Sequence, residues 1–225
     1  MNDKELVLTD VKNEPLVTKK QIYLFIKRIF DIICSLFGIV VFLISFIFVK
    51  IAYMLTGDFH RLLFTQDRIG KNGKHFKLFK FRSMVPNAEQ VLKEMMEKDP
   101  KIREEYTKNK KLHNDPRITK VGKIIRKCSI DELPQFINIF IGNMSLVGPR
   151  PYLPREKKDM GKYYDYVITC KPGLTGLWQV SGRSDISFNA RLKLDKKYAT
   201  TRGLKGDIKI VFKTFGAVFG KKGAK

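Results

Sequence analysis

Cysteine and histidine are scarce in this sequence, with three of each among 225 residues. No two cysteines have the Cys-x-x-Cys spacing, which disfavours both a disulfide framework and a cysteine-bound zinc site. A metal ion would have to be held by oxygen ligands, and this favours Mg²⁺ over Zn²⁺. The residues concerned are Cys34, Cys128, Cys170, His60, His75 and His113.

The short motifs of several common enzyme classes are also absent. The sequence has no Gly-x-Gly-x-x-Gly and no Gly-x-x-x-x-Gly-Lys-Ser/Thr, which disfavours a Rossmann enzyme and a P-loop ATPase. It has no Gly-x-Ser-x-Gly, the turn that carries the nucleophile of α/β-hydrolases. Catalytic chemistry would therefore need a different arrangement of residues.

Acidic residues are few compared with basic ones: 22 Asp and Glu face 44 Lys and Arg, and the net charge is +22. Such an excess attracts polyanions, whether nucleic acid, anionic lipid headgroups or phosphorylated small molecules. Composition does not choose among these three. Hydrophobic residues make up 44% of the chain, so it can form a core, and disorder is excluded as its main state.

Ile32 to Val49 is an uninterrupted run of eighteen uncharged residues, most of them strongly apolar. At ~1.5 Å per residue, a helix of this length is near the lower limit for crossing a ~30 Å hydrocarbon core. The run predicts a membrane-anchoring helix. The alternative is the core helix of a soluble domain, but no second segment is hydrophobic enough to surround it. A cleaved signal peptide is disfavoured because a long, partly acidic segment precedes the run.

Basic residues flank this run on both sides. Cations hold the flank of a membrane helix in the cytoplasm, so both ends are predicted to be cytoplasmic. We therefore favour a re-entrant anchor, which enters the bilayer and turns back, over a spanning helix. The run has no proline, and Gly38 and Ser45 are its weakest points for a break. The flanking cations are Lys19, Lys20, Lys27 and Arg28 before the run, and Lys50, Arg61 and Arg68 after it.

Periodicity and turn residues predict a hairpin and several helices in the rest of the chain. Segments 142–151 and 171–183 are rich in Gly and Pro and are predicted to be irregular. The last predicted helix either faces the core or lies on a membrane surface. The elements are a hairpin over 62–81, a helix over 86–111 broken at Asp99-Pro100, a helix capped by Thr119 that ends near Lys127, one that starts near Asp131, and helices over 188–198 and 204–219.

Asp131 and Glu132 form the most informative pair of residues. Pro134 lacks a backbone N–H and belongs in the first turn of a helix, so the two carboxylates are predicted to lie at a helix start. An ionised aspartate beside a bound cation could attack phosphorus. The alternative is that Ser129 or Asp131 merely caps the helix.

Two further segments could contact phosphate. In Gly-Pro-Arg150-Pro the two prolines restrict the backbone around a guanidinium, whose forked donors suit phosphate oxygens. The segment 171–183 holds three glycines, Trp178 and Arg183, and suits close backbone approach to a ligand. The alternatives are an ordinary surface turn and a glycine-rich connection with Trp178 in the core.

Four long blocks of the sequence, taken in order, resemble the bacterial sugar transferase family, the monotopic phosphoglycosyl transferases that act on polyprenyl phosphate. The resemblance implies a small, helix-rich membrane-associated domain of the α/β type with a short hairpin, a re-entrant membrane helix and amphipathic surface helices. The chain is then divided into a polar tail at 1–20, the anchoring helix at 21–57 and a cytoplasmic catalytic domain at 58–225 that ends in an amphipathic helix. The blocks are FTQDRIGKNGKHFKLFKFRSM, DPRITKVGKIIRKCSIDELPQ, GNMSLVGPRP and KPGLTGLWQVSGRSDISF.

The resemblance also implies roles for individual residues. Asp131 is the expected nucleophile, and Glu132 is its expected partner, which binds Mg²⁺ or alternatively Mn²⁺. Asp207 matches a family carboxylate, counted here among the substrate-binding residues. Two departures are visible: the family's Ser-Pro break in the membrane helix is missing, and Asn143 stands where the family often has Asp. The basic positions expected to contact phosphate or nucleotide are Lys80, Arg126, Arg150 and Arg183.

The implied activity is transfer of a hexose-1-phosphate from a UDP-sugar to polyprenyl (undecaprenyl) phosphate, with release of UMP through an aspartyl-phosphosugar intermediate. It would be the first membrane step of bacterial exopolysaccharide, capsule or O-antigen synthesis, at the cytoplasmic face of the cell membrane. The expected partners are the UDP-sugar, polyprenyl phosphate and membrane lipids, without nucleic acid, and a homodimer is left open.

Two alternatives to this activity are retained. The block LWQVSGRSD is more similar to hexose-type members, but the same chemistry with an N-acetylhexosamine-1-phosphate donor stays open. The second alternative is a membrane-tethered basic protein that binds nucleic acid or anionic lipid. It gives no role to Asp131 and Glu132 and predicts no release of UMP.

Overall fold

The computed structural model describes residues 19–109, 112–182 and 186–219. Its longest element is α1, Lys19–Leu55, a 37-residue helix. Two small sheets and shorter helices follow in the described ranges. These elements are β1 Leu63–Ile69, β2 His75–Phe81, α2 Ala88–Lys98, α3 Pro100–Asn109, α4 Lys120–Lys127, α5 Gln135–Phe140, β3 Ser145–Val147, α6 Lys157–Met160, α7 Tyr164–Val167, β4 Gly173–Thr175, α8 Phe188–Thr201 and α9 Leu204–Phe219, with 3₁₀ turns at Lys71–Gly73, Ile130–Glu132, Pro154–Glu156, Gly161–Tyr163 and Gln179–Ser181.

One face of α1 packs against the rest of the molecule, and the other carries exposed apolar side chains. Phe37 and Phe48, for example, are 73% and 68% exposed. Among the described helices, α1 alone is long and apolar enough to cross a membrane, and only 22% of its most apolar stretch is buried. So much exposed apolar surface is consistent with a membrane-associated domain. The buried face consists of Asp31, Ser35, Gly38, Phe42, Val49 and Tyr53.

α1 continues unbroken through Gly38 and Ser45, the two positions at which the sequence predicts weakness. Gly38 serves packing instead. A Cβ at this position would lie 2.3 Å from the ring of Phe136 on α5, so glycine is required for this approach. The described helix therefore shows no reversal of direction, and a re-entrant path stays a prediction.

The predicted hairpin is confirmed as the antiparallel pair β1–β2. Its turn places Asn72 and Gly73 at positive φ, which asparagine and glycine tolerate best. Asn138 of α5 fixes the hairpin: it is fully buried, accepts a hydrogen bond from Phe79 N (2.9 Å) and donates one to Lys77 O (2.8 Å). These bonds hold β2 against α5, and residues beside both elements form the candidate site.

Most of the predicted helices are confirmed. α2 and α3 meet at Asp99-Pro100, and the Thr119 hydroxyl caps α4 by accepting a hydrogen bond from Gly122 N at 2.9 Å. α9 has the predicted bounds. It contributes Ile210 to the core and keeps an apolar outer surface, so it faces the core in part, and its position on a membrane surface stays a prediction. The exposed apolar residues of α9 include Leu204, Ile208, Phe212 and Phe215.

The two segments predicted to be irregular form a parallel pair, β3–β4. Their contact depends on glycine: a Cβ on Gly173 would lie 2.1 Å from Gly148 N, and one on Gly176 would lie 2.2 Å from Gly148 O. The prediction holds for most of both segments and was wrong only for these two strands, because strands of three residues carry no periodic signal. These glycines allow two backbones to approach each other, and the pair fixes the loop that carries Arg150.

Candidate active site

Asp131 lies in the 3₁₀ turn Ile130–Glu132, ahead of α5. The sequence predicts a helix start here, and the structure has a 3₁₀ turn at Asp131, while α5 begins only after its N-cap residue Pro134. The capping alternative is not supported for Ser129, whose side chain makes no capping hydrogen bond. Ser129 instead has a φ of 56°, a left-handed conformation that strains a non-glycine residue. Strain of this kind clusters at functional sites.

Lys80 of β2 brings a positive charge to this turn. Its Nζ donates a hydrogen bond to Glu132 Oε1 at 3.1 Å and lies 3.9 Å from Asp131 Oδ2. The Asp131 side chain is 13% exposed and the Glu132 side chain 35%, so Asp131 is the more buried of the two carboxylates. The structure thus brings Lys80 and the carboxylate pair together, and the contact of Lys80 with phosphate stays a prediction.

Arg126 of α4 supplies a second positive charge. Its Nε donates a hydrogen bond to Ser83 Oγ at 2.8 Å, which orients the guanidinium. Burial raises the pKa of Asp131 above its ordinary value, and the charge of Glu132 adds to the rise. Lys80 and Arg126 both oppose it. The site therefore holds a poorly solvated carboxylate between two cations, an arrangement suited to nucleophilic attack on an anionic substrate.

Arg150 lies in the loop after β3, where its backbone N donates a hydrogen bond to Asp195 Oδ2 at 3.2 Å. Its guanidinium carbon is 5.6 Å from the centre of the Trp178 ring. Arg68 of β1 contacts this loop, because its Nη1 donates a hydrogen bond to Pro151 O at 2.8 Å. Burial and the charge of Arg150 lower the pKa of Arg68 to about 10, while Glu156 and, to a smaller extent, Glu132 act in the opposite sense. Arg150 is therefore part of the same charged region.

Asp207 is held by a different set of residues. Its carboxylate accepts hydrogen bonds from Tyr23 OH (2.9 Å), Lys27 Nζ (2.5 Å) and Tyr198 OH (2.9 Å). These donors come from α1 and α8, so Asp207 connects α9 to both helices. This geometry gives Asp207 a structural role, and contact with substrate stays a prediction. Arg183, the remaining predicted site residue, lies outside the described residues.

Comparison with known proteins identifies the family. A family model described as bacterial sugar transferase matches residues 22–221. The chain belongs to this family. Every site residue placed above lies inside the matched region.

Curated relatives resemble most of this chain. It is 46% identical over 200 residues to the undecaprenyl-phosphate galactose phosphotransferase of Salmonella typhimurium. The aligned region covers 89% of this chain and 42% of that protein. The chain is 39% identical over 198 residues to the exopolysaccharide production protein ExoY of Sinorhizobium fredii, with 88% of this chain and 87% of that protein covered. A UDP-N-acetylgalactosamine-undecaprenyl-phosphate N-acetylgalactosaminephosphotransferase of Aeromonas hydrophila is 34% identical over 211 residues, 91% of this chain and 46% of that protein. The chain thus spans less than half of the Salmonella and Aeromonas relatives.

The carboxylates of this sugar transferase fit a magnesium site in part. Within the described residues, no three Asp, Glu, His or Cys side chains are grouped around a common point for a metal. Asp131 and Glu132 nevertheless suit Mg²⁺, which proteins often hold through one or two carboxylates together with substrate phosphates. Asn143 follows the opposite end of α5, so its difference from the family's Asp does not alter this pair.

Sequence reasoning missed the part that Arg68 and Arg191 play in this region. From the sequence, Arg68 is predicted only as a cation beside the membrane run. The hairpin register places Arg68 opposite Phe76, which lies on the same face of β2 as Lys80. Because side chains alternate between the two faces of a strand, this spacing could have shown that Arg68 shares a face with Lys80. No signal in the spacing of α8 singles out Arg191. Its guanidinium carbon lies 4.6 Å from the centre of the Trp178 ring.

Proposed function

We propose that this chain transfers a hexose-1-phosphate from a UDP-sugar to polyprenyl phosphate and releases UMP. The observation that carries the proposal is the buried Asp131 carboxylate beside Glu132, with Lys80 and Arg126 acting on it. Membership of the family supports it. So do relatives named for an undecaprenyl-phosphate galactose phosphotransferase and for exopolysaccharide production. The reaction would begin the membrane stage of exopolysaccharide, capsule or O-antigen synthesis.

In the first step, a carboxylate oxygen of Asp131 attacks the phosphorus that bears the sugar. An aspartyl O–P bond forms, the bond from that phosphorus to the bridging oxygen breaks, and UMP leaves with the electron pair. Lys80 and Arg126 stabilise the charge that develops on the phosphoryl oxygens. Both cations are already positioned by the folded chain, so little reorganisation is needed when the donor binds.

In the second step, a phosphate oxygen of polyprenyl phosphate attacks the same phosphorus. The new O–P bond completes the polyprenyl-diphosphate-sugar, and the aspartyl O–P bond breaks to regenerate the Asp131 carboxylate. Donor and acceptor phosphates therefore use the same cations in turn. The acceptor can enter only after UMP has moved away from the attacked phosphorus.

We propose that Glu132 holds Mg²⁺ together with oxygens of the donor diphosphate. Glu132 is the more exposed member of the pair, which suits a ligand to an ion that arrives with substrate. When bound, Mg²⁺ neutralises charge on the diphosphate. EDTA is expected to stop the reaction, and Mg²⁺ or Mn²⁺ to restore it. Activity that survives exhaustive chelation would contradict this assignment.

We propose a hexose-type donor in preference to an N-acetylhexosamine. The relative named for galactose shares 46% identity with this chain, and the one named for N-acetylgalactosamine shares 34%. A tethered binding protein for nucleic acid or lipid is a weaker candidate, because it leaves the buried Asp131 carboxylate without a role.

We propose that α1 lies within one leaflet on the cytoplasmic side and does not span the bilayer. Its contacts with the domain extend from Arg28, which donates to Ile139 O and Phe140 O at 2.7 Å each, to Tyr53, which donates to Arg82 O at 2.6 Å. Roughly 37 Å of helix separates these contacts at ~1.5 Å per residue. This exceeds the ~30 Å hydrocarbon core, so a spanning α1 would draw the polar domain into the lipid.

The function is tested with purified protein, Mg²⁺, polyprenyl phosphate and a panel of UDP-sugars, by measuring UMP. UDP-glucose or UDP-galactose should give more UMP than the N-acetylhexosamine donors. Without acceptor, the intact protein mass should increase by one phosphosugar on incubation with the correct donor. The absence of UMP with every UDP-sugar would contradict the proposal and favour a binding protein.

The topology is tested by labelling a single cysteine with an impermeant thiol reagent. A cysteine introduced near residue 5, in a chain that lacks Cys34, Cys128 and Cys170, should resist the reagent in intact cells and react after lysis. A chain that keeps only Cys128, which is exposed on the domain, provides the control for a cytoplasmic position. Labelling near residue 5 in intact cells would show that α1 spans the membrane.

A further inference from the structure

Three arginines of the sugar transferase are grouped in the region of the only tryptophan in the chain, and we call them the arginine cluster: Arg68, Arg150 and Arg191. The guanidinium carbons of Arg150 and Arg191 lie 5.6 Å and 4.6 Å from the centre of the Trp178 ring. Arg68 is only 8% exposed. The charge of Arg150 lowers the pKa of both other arginines, in addition to the effect of burial. The three positive charges therefore repel one another.

The buried carboxylates Glu156 and Asp195 act on the arginine cluster by charge, against the effects of burial and Arg150, but they do not form ion pairs with it. No carboxylate in the described ranges lies within ion-pair distance of the arginine cluster. Asp195 directs its Oδ2 to Arg150 N and to Tyr152 OH instead. The Nε atoms of all three arginines and Nε1 of Trp178 are buried without a hydrogen-bond partner among the described residues. Buried donors are normally paired, so this group of donors points to an anionic ligand.

The β1–β2 hairpin links the arginine cluster to the carboxylate pair. Its register places Arg68 on the same face as Lys80, whose Nζ donates to Glu132 Oε1 at 3.1 Å. Arg68 Nη1 donates to the carbonyl oxygen of Pro151, the residue after Arg150, at 2.8 Å. Lys80 and Arg126 already serve the phosphorus that is attacked. The cluster is therefore available for the neighbouring phosphate, which remains with the nucleotide when the sugar phosphate is transferred.

We propose that the arginine cluster binds the nucleoside diphosphate part of the donor and retains the nucleoside monophosphate after transfer, with Arg191 as a further binding residue. This inference rests on the proposed function. Guanidinium groups offer paired donors to phosphate oxygens. The Trp178 ring attracts two of them through its π face and so keeps them oriented before the ligand arrives. UMP is therefore expected to bind in the absence of lipid acceptor and sugar.

The test uses the fluorescence of Trp178, the single tryptophan, in the detergent-solubilised full chain titrated with UMP. Wild type should show a saturable change. Arg191→Gln should weaken UMP binding roughly tenfold to a hundredfold, because hydrogen bonds to a charged group are lost. Lys193→Gln removes the same charge from an exposed position of α8 and should bind UMP like wild type. Arg191→Lys should recover part of the affinity, and a thermal melt of each variant checks folding.

Two results would overturn the inference while leaving the proposed function intact. The first is equal UMP affinity in wild type and Arg191→Gln. The second is UMP binding that calorimetry detects in wild type but that leaves Trp178 fluorescence unchanged. Failure of the proposed function would be visible separately, as no UMP release from any UDP-sugar in the presence of polyprenyl phosphate.

Discussion

Asp131 and Asp207 are both carboxylates that match the family pattern, and the structure places them in opposite kinds of surroundings. Asp207 is 7% exposed and accepts hydrogen bonds from one lysine and two tyrosines. Asp131 has Lys80 Nζ at 3.9 Å, beyond hydrogen-bond distance, and its pKa is raised mainly by burial, with the charges of Lys80 and Arg126 acting against the rise. A carboxylate with a complete set of donors holds elements together, whereas one with an incomplete set is free to form a bond with phosphorus.

The arginines show the same contrast. Arg117 is 6% exposed, and its guanidinium donates to both oxygens of Asp115, at 2.8 Å and 2.6 Å. The arginine cluster is comparably buried at Arg68 but has no described carboxylate at ion-pair distance. Burial alone therefore does not distinguish the paired Arg117 from the arginine cluster. The completeness of their hydrogen bonds does.

The largest effect is expected at Asp131, the carboxylate with an incomplete set of hydrogen-bond donors. Asp131→Asn should reduce UMP release by roughly a thousandfold or more, because the amide cannot act as this nucleophile. The melting temperature should not fall, since the substitution removes a poorly solvated charge beside Glu132. Asp165→Asn, an identical change at an exposed position, is the control for both measurements. Substantial UMP release by Asp131→Asn would disprove the covalent mechanism.

The opposite pattern, a loss of stability without a loss of turnover, is expected at Asp207, the carboxylate with a complete set of hydrogen-bond donors. Asp207→Asn should lower the free energy of unfolding by roughly 2–4 kcal/mol, because the part-buried Lys27 loses its charged partner. Chemical denaturation in detergent would measure this change, and turnover per folded molecule should stay close to wild type. An unchanged stability with lost turnover would instead support the role in substrate binding that the sequence predicts.

Asp195 is an intermediate case, since Oδ2 has two donors while Oδ1 is buried and unpaired. Burial raises its pKa from 3.8 to about 7. The folded state thus holds a proton that the unfolded chain releases, and stability falls as pH rises between these values. Asp195→Asn cannot titrate, so its stability relative to wild type should rise over this range, by at most about 1.4 kcal/mol per pH unit. Melting temperatures at pH 5 and pH 8 test this, and a constant difference would refute it.

The smallest effect concerns the backbone before the turn that carries Asp131. Ser129→Gly should raise the free energy of unfolding by less than about 1 kcal/mol. Glycine relieves the backbone strain at φ 56°, but it loses more conformational entropy than serine on folding, and the two effects nearly cancel. A denaturation curve measures this, with Ser187→Gly at the N-cap of α8 as a contrast that should be destabilising. Loss of stability in Ser129→Gly would show that this serine makes a contact that outweighs its backbone strain.

Sequence reasoning succeeded where the signal is local. The Thr119 cap, the hairpin turn and the break at Asp99-Pro100 each depend on a few adjacent residues, and the structure confirms them. Asp131 was found through its motif, but its 3₁₀ turn was not, because Pro134 is compatible with either conformation. The charge pair of Asp207 could not be predicted, since its partner on α1 is 180 residues away in the chain.

The contacts of α1 with the domain have a consequence for how this protein meets its substrates. Because they extend along the helix, the anchor and the reaction centre move as one body, without a flexible tether between them. On a bilayer, such a body keeps its chemistry at a constant height, and under the proposed function its encounter with the lipid-borne acceptor becomes a search in two dimensions. Gly38, which allows Phe136 and α5 to touch the anchor, thereby helps to set the distance between the carboxylate pair and the lipid headgroups.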